Sequence, residues 1–260
     1  MNDDSLISCI CITKNNPFLL TRAIACFKAQ TYSNKELLVV YESDNKDVQQ
    51  VIIAESNNDF SIQFIERPVL PKSSLGALKN NAIAISKGEY FCQWDDDDWY
   101  GADRLQIQME AIKKNAAPVC FFGHWIFFDA IAEIAYLSFR RNWEGSILCK
   151  KSIVTDEVKY ALLPKLEDTP FVNKISEMYA IAQVVKPSSY IYVYHGNNTW
   201  GFSHFQDNFF KGQQMSLQFS ALITVILKGV YTNEKALSML ESDFYNREII
   251  EKIKTSTIYN

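Results

Sequence analysis

The stretch Gly88-Glu-Tyr-Phe-Cys-Gln-Trp94, Asp95-Asp96-Asp97-Asp98, Trp99-Tyr-Gly-Ala-Asp-Arg-Leu105 decides the reading of this chain. Its apolar and aromatic run from Tyr90 to Trp94 predicts a buried strand, and the amphipathic pattern that opens near Asp103 predicts a helix. The four carboxylates therefore fall in a strand-to-helix connection, where open α/β sheets bind ligands. Adjacent carboxylates repel, and burying part of such a run is costly unless a cation or hydrogen-bond donors compensate. Oxygen ligands of this kind suit Mg2+ or Mn2+, and Mg2+ is ordinarily held by one or two carboxylates plus substrate phosphates. The plain alternative is a solvated acidic turn that caps the next helix. Against it stand Tyr90, Phe91 and Trp94, which anchor the run at the edge of a core.

Toward the N-terminus, strand and helix patterns alternate. Leu6 to Thr13 is apolar throughout, as in a central parallel strand covered on both faces. Pro17 then fits the first turn of a helix running to about Gln30. Glu36 to Tyr41 predicts a second buried strand, Asp47 to Ser56 a helix, Ile62 to Glu66 an edge-like strand and Gly76 to Lys87 a helix. This alternation is the signature of a doubly wound sheet. Toward the C-terminus, Asp103 to Asn115 predicts a helix and Pro118 to Phe128 one very apolar strand. Ala132 to Phe139 reads as its hairpin partner, and Gly145 to Lys150 as a short strand. The acidic pair Glu167-Asp168 stands just ahead of a helix ending near Tyr179, where a carboxylate is stabilised by free N–H groups. Short strands follow at Ala180 to Lys186 and Tyr190 to Tyr194, then helices at Asp207 to about Lys228, Asn233 to Leu240 and Asp243 to Lys254.

In its order of parts the acidic stretch resembles the Asp-x-Asp segment of family 2 glycosyltransferases, inverting enzymes of the glycosyltransferase A-type fold. Ala29-Gln30-Thr31-Tyr32 matches a family segment well, and Thr13-Lys14-Asn15-Asn16 stands where the family usually has Thr-Tyr-Asn-Arg. The resemblance implies an α/β, Rossmann-like, mostly parallel sheet with helices on both faces and a C-terminal helical extension. It implies a catalytic domain over 1–200, with a nucleotide-binding half to about 100 and an acceptor half beyond it, and a helical extension over 201–260. It implies Asp97 as the metal ligand for Mn2+ or Mg2+, and Asp95 or Asp96 on the ribose of a nucleotide sugar, with Thr13 and Asn15 lining the same site. The family's usual Asp-Asp-Gly-Ser is replaced by Tyr41-Glu42-Ser43-Asp44, so Glu42 or Asp44 would take over the base contact. Lys79 occupies the Arg place of the family's Ala-Arg-Asn segment, with Asn80 in the Asn place, and would face the diphosphate as a point charge. Asp168 takes the place of the catalytic base, with Glu167 orienting the acceptor or lining the pocket. His195, after a strand and before Gly196-Asn197-Asn198, would approach the diphosphate or the metal.

Arg140, Arg141, Asn142 and Trp143 bring basic and aromatic residues into one connection, which suits sugar stacking or an anionic acceptor. Trp99, Tyr100, Trp125, Trp143 and Trp200 form the aromatic set expected to choose the acceptor, a saccharide or lipid-linked saccharide. His124, inside an apolar run, reads as a hydrogen-bonded core residue.

Composition narrows the partners. In 260 residues, 48% hydrophobic and 22% charged with a net charge of −4, nothing favours a nucleic-acid partner. Six cysteines without metal-type pairing, four of them in apolar runs, point to reduced thiols and a cytoplasmic location. The N-terminus lacks the basic and apolar regions of a signal peptide, and Phe219 to Leu227 is far short of the roughly 20 residues that span a bilayer. Phe209, Phe210 and Lys211 leave room for peripheral contact at the inner face of the cell membrane, and the late helices for a homodimer contact. The expected activity is transfer of a sugar, from a UDP-sugar first, with bacterial surface polysaccharide or glycolipid synthesis as the setting. Two alternatives stand beside it. One is a catalytically silent nucleotide-sugar binding protein. The other is a sugar nucleotidyltransferase, ranked lower because no Gly-rich loop follows the first strand.

Overall fold

The computed structural model describes residues 5–13, 16–42, 44, 46–56, 61–68, 70 and 72–256. In chain order these begin with β1 (Ile7–Ile12), α1 (Pro17–Lys28), β2 (Lys35–Glu42), α2 (Lys46–Ser56), β3 (Ile62–Arg67), α3 (Leu75–Ile85), β4 (Tyr90–Gln93) and β5 (Trp99–Tyr100). The middle of the chain forms α4 (Arg104–Asn115), β6 (Val119–Phe122), β7 (Ile126–Asp129), β8 (Ile134–Leu137), β9 (Leu148–Lys150), α5 (Asp168–Met178), β10 (Ile181–Val184) and β11 (Tyr190–Tyr194). The last part forms α6 (Phe202–Lys211), β12 (Gln213–Gln214), α7 (Leu217–Leu227), α8 (Asn233–Leu240) and α9 (Asp243–Ser256).

Seven strands make the main sheet in the order β10-β6-β9-β4-β1-β2-β3. β1 pairs in parallel with β2 and β4, β2 with β3, and β6 with β10, while β9 runs antiparallel between β4 and β6. The apolar runs of β1, β2 and β4 are buried because helices cover both faces. Leu20, Ile24 and Phe27 of α1 join one core with Cys9, Leu37 and Trp94, and Ala82 and Ile83 of α3 join the other with Ile10, Leu38 and Phe91. Local chemistry starts these helices where the pattern asked. Asn16 accepts from the Leu19 N–H ahead of Pro17, and Ser74 accepts from the Ala77 N–H.

Two expectations are corrected. Pro118 to Phe128 is not one strand. β6 belongs to the main sheet, and β7 to a second sheet of order β12-β8-β7-β11-β5. Between them the Gly123 N–H bonds to the Val184 carbonyl and the Trp125 N–H to Ser138 Oγ, so the chain leaves one sheet and enters the other. Both halves are fully buried, so the sequence is apolar on both faces and its periodicity carries no break. Likewise the helix expected over Asp207 to Lys228 is two. α6 ends at Gly212, whose N–H reaches the carbonyls of Asn208 and Phe209, and α7 begins at Ser216, which caps Phe219. Phe205 and Phe209 of α6 and Phe219 of α7 are part of the same core as Trp125 and Phe127. Among the described residues no helix is long and apolar enough to cross a membrane. All six cysteines are buried free thiols.

Candidate active site

The four aspartates leave β4 on the backbone bond from the Trp94 N–H to the Ile10 carbonyl and then diverge, each to a different partner. Asp95 accepts from Gln93 Nε2 at 2.7 Å. Asp96 accepts from Thr13 Oγ1 at 2.5 Å, which ties the loop to the end of β1. Asp97 Oδ2 faces His195 Nε2 at 3.2 Å and Asn198 Nδ2 at 3.0 Å. Asp98 turns inward, is fully buried, and accepts from Tyr190 Oη at 2.7 Å and from the Val193 N–H at 3.0 Å. Asp98 is thus a core acceptor, while Asp95, Asp96 and Asp97 stay partly accessible.

Holding these carboxylates together requires compensation, and α1 supplies it. Arg22 Nη2 donates to the Asp97 carbonyl at 2.5 Å. Burial lowers the Arg22 pKa, and Cys26 with the carboxylates of Asp98, Asp97 and Asp96 pulls the other way. Burial pushes the Asp95 carboxyl up to about 6 against the pull of Lys79. It raises Asp98 well above the ordinary carboxylate range, with Asp97 and Asp95 adding to it. Sequence reasoning did not single out Arg22, which lies 75 positions from Asp97.

Lys79 sits in a buried ion-pair junction, from which it still acts on Asp95. It is buried, with its Nζ 3.0 Å from Glu144 Oε1 and 2.9 Å from Glu167 Oε1. Tyr160 Oη donates to the same Glu144 oxygen at 2.6 Å. Burial works against the ammonium, yet the two glutamates outweigh it and hold the Lys79 pKa above the ordinary lysine value. Burial also pushes Glu144 up to about 7, with Lys79 opposing and Asp168 and Asp95 adding. Lys79, expected on the diphosphate, and Glu167, expected on the acceptor side, are thus joined to each other inside the protein.

This junction depends on close approach of α3 to the segment before α5. A Cβ on Gly76 would lie 1.8 Å from the Ala161 carbonyl oxygen and 3.1 Å from Glu167 Cβ, so only glycine fits there. Asn80 completes the seam, donating to the Tyr160 carbonyl at 2.8 Å and accepting from its N–H at 3.0 Å. Asp168, the first residue of α5, is left partly exposed, with only a 3.5 Å contact from Thr169 Oγ1 and no ion pair among the described residues. It acts electrostatically on Glu144, Arg141 and His204.

The remaining expected residues scatter. Asn15 lies outside the described residues. Glu42 pairs with Arg67 at 2.7 Å, and Asp44 is exposed. Trp99 and Tyr100 are core residues and cannot line an acceptor groove: Tyr100 stacks with Tyr190 at 5.4 Å, and its hydroxyl accepts from the Asp95 N–H. Trp143 and Trp200 are partly exposed, the first stacked on Trp125 and the second on His204. Phe209 is buried and Phe210 is 89% exposed. Gln30 is structural: it donates to the Gly101 carbonyl and accepts from the Leu105 N–H, fixing the segment after the acidic loop.

Among the described residues no three His, Cys, Asp or Glu side chains are arranged to hold a metal. Asp97 and His195 nevertheless present one carboxylate oxygen and one imidazole nitrogen side by side. That pair fits Mn2+ or Mg2+ only where a ligand's phosphates complete the shell.

The mixed, mostly parallel sheet, with an acidic loop at the carboxyl end of β4, has the glycosyltransferase A-type fold. Residues 8–147 match the family described as glycosyl transferase family 2. The chain belongs to that family. It is 34% identical over 109 residues to the putative colanic acid biosynthesis glycosyl transferase WcaA of Escherichia coli K12, covering 41% of this chain and 38% of that protein. It is 27% identical over 113 residues to the UDP-Glc:alpha-D-GlcNAc-diphosphoundecaprenol beta-1,3-glucosyltransferase WfgD of Escherichia coli, covering 44% and 43%. These matches thus span about two fifths of each relative's length. Among solved structures, Staphylococcus aureus TarS 1-349 in complex with UDP superposes with a TM-score of 0.60 at 15% identity, covering 86% of this chain and 70% of that one. The mannosyltransferase PcManGT from Pyrobaculum calidifontis, in complex with GDP-Man and Mn2+, gives 0.59 at 12% identity, covering 100% and 77%.

Proposed function

We propose that this chain is an inverting glycosyltransferase that moves a sugar from a nucleoside-diphosphate sugar, a UDP-sugar first, to a hydroxyl of a saccharide or lipid-linked saccharide. The observation that carries the reading is the division of labour among carboxylates. Asp96 and Asp97 are held at the carboxyl end of β4 by Thr13, His195 and Asn198, while Asp168 stands apart from them without an ion pair among the described residues.

In this reading Asp95 or Asp96 receives the ribose, and Asp97 with His195 faces the diphosphate. A Mn2+ or Mg2+ ion seated on Asp97 would supply Lewis-acid neutralisation of the charge that develops on the leaving diphosphate. Asp168 removes the proton of the acceptor hydroxyl as its oxygen attacks the anomeric carbon from the face opposite the diphosphate. The C–O bond to the acceptor forms as the C–O bond to the diphosphate breaks, so the configuration inverts in a single displacement. Glu167 and Glu144 act through Lys79 to fix the turn from which Asp168 projects. The names of WfgD and WcaA support a setting in polysaccharide or glycolipid synthesis.

The test is calorimetric titration of UDP and of GDP into the wild type and Asp97→Ala, with and without Mn2+. Metal-dependent binding of one nucleotide, lost in a folded Asp97→Ala, is the expected result. Absence of nucleotide binding under every condition would overturn the reading.

A further inference from the structure

Arg141 is a partly buried cation on which Asp168 acts electrostatically. Its guanidinium lies over the rings of Trp143 at 4.4 Å, Phe139 at 4.8 Å and Trp125 at 5.5 Å. Its one hydrogen bond from the guanidinium is long, Nη2 to Asn208 Oδ1 at 3.3 Å, and its buried Nε has no partner among the described residues. No carboxylate pairs with it among them, although a desolvated guanidinium ordinarily needs one.

Asn208 connects Arg141 to a second group. The amide that accepts from Arg141 through Oδ1 presents Nδ2 to His204 Nε2 at 3.2 Å, in an orientation assigned from that bonding pattern. With Nε2 accepting, a neutral His204 carries its proton on Nδ1. The imidazole stacks on Trp200 at 4.8 Å, and Lys165 Nζ stands over the same indole at 5.3 Å. Arg141, Lys165 and His204 come from three separate segments, and Asp168 acts electrostatically on Arg141 and His204. They lie on aromatic faces that suit a sugar ring. A neutral saccharide would leave the Arg141 charge uncompensated.

We infer that Arg141 and His204, on the aromatic floor of Trp143 and Trp200, form a subsite for an anionic group of the acceptor, a phosphate or a carboxylate carried beside the sugar that receives the transfer. Arg offers a planar fork that matches either oxyanion, and the surrounding rings exclude water that would weaken the pair. The inference rests on the reading of Asp168 as the acceptor-side base. It narrows the acceptor class from saccharides in general to charged ones.

The test loads the protein with UDP and Mn2+, so that the donor site is filled, and titrates three probes: methyl glucoside, glucose 1-phosphate and glucuronic acid. The expected result is that one anionic probe binds at least about tenfold tighter than methyl glucoside, as charge-assisted bonds predict. Arg141→Gln removes that preference and His204→Gln weakens it, while the affinity for UDP does not change. The tighter of the two anions tells whether phosphate or carboxylate is the natural group. Equal affinity for all three probes, undetectable binding of both anions, or a preference that survives in folded Arg141→Gln would overturn the inference. Because Arg141 packs on three rings, its loss can disturb folding; His204 is only partly buried, and His204→Gln then carries the comparison. Failure of UDP to bind is a separate result: it removes the donor reading, while dependence of anion binding on Arg141 still decides the subsite.

Discussion

Lys79 Nζ lies 2.9 Å from Glu167 Oε1, which puts an ion pair between α3 and the residue directly before Asp168. The two positions are 88 apart in sequence, and the second glutamate on the same ammonium, Glu144, comes from a third segment. A lysine at the place where the family has arginine joins three parts of the protein here. Breaking a buried pair by removing one partner leaves the others uncompensated and costs about 3–5 kcal/mol. Lys79→Met is therefore expected to lose stability of that order in urea unfolding. The combined Lys79→Met, Glu144→Gln, Glu167→Gln variant should recover part of it, since no buried charge is then left alone. Loss of UDP affinity by Lys79→Met with stability intact would put the lysine back on the diphosphate.

Gly76 makes that junction sterically possible. A methyl group there would sit 1.8 Å from a backbone oxygen, a collision that no rotamer change relieves. Gly76→Ala should destabilise by about 1–3 kcal/mol, the usual cost of overpacking. It should also speed proteolysis in the 161–167 segment. Unchanged unfolding would mean that the segment does not pack on α3 as closely as described.

The four adjacent aspartates are expected to separate sharply by substitution. Asp98 serves as a buried acceptor for Tyr190 and the Val193 N–H, so Asp98→Ala leaves both donors unsatisfied and costs about 1–3 kcal/mol each. Asp98→Asn retains one acceptor oxygen and should be milder. Asp97→Ala should do the reverse, keeping the fold and losing metal-dependent nucleotide binding. Unfolding curves and calorimetry on the three variants check this; equal effects on nucleotide binding from positions 97 and 98 would contradict the assignment.

How far such roles could be read from sequence depends on the distance over which they are made. β1, β2 and β4 were legible because strands covered on both faces appear as continuous apolar runs, and the acidic loop because its four carboxylates stand next to that signal. The second sheet was not legible: β6 and β7 are both buried on both faces, and only Gly123 and His124 interrupt the apolar run between them. Arg22 and Glu144 were missed for a different reason. A charged residue in a helix or turn reads as solvated surface until its partner is known, and their partners lie 75 and 65 positions away. Trp99 and Tyr100 were misplaced because aromatic residues beside an acidic loop look alike in sequence whether they face substrate or core.

The pH dependence of stability offers the last test, and its sign follows from Glu144. Burial pushes that carboxyl from 4.5 up to about 7, so between those values the folded protein holds a proton that the unfolded chain has released. The contribution is fully present below about 4.5 and is lost as pH rises through about 7, by about 3 kcal/mol at most. Lys79 opposes the shift, and Asp168 and Asp95 add to it; Tyr160 donates to the same oxygen. Burial lowers His124 and His204, whose contributions are present above the ordinary histidine pKa and lost as pH falls, so they tilt the wild-type curve the other way. The difference between wild type and Glu144→Gln isolates the carboxyl, because the amide oxygen still accepts from Lys79 and Tyr160 but has no proton to lose. Urea unfolding at pH 5, 6.5 and 8 should show the wild type losing stability relative to Glu144→Gln as pH rises. Parallel curves for the two proteins would mean that Glu144 is already ionised at pH 5, and that Lys79 outweighs the desolvation of its partner.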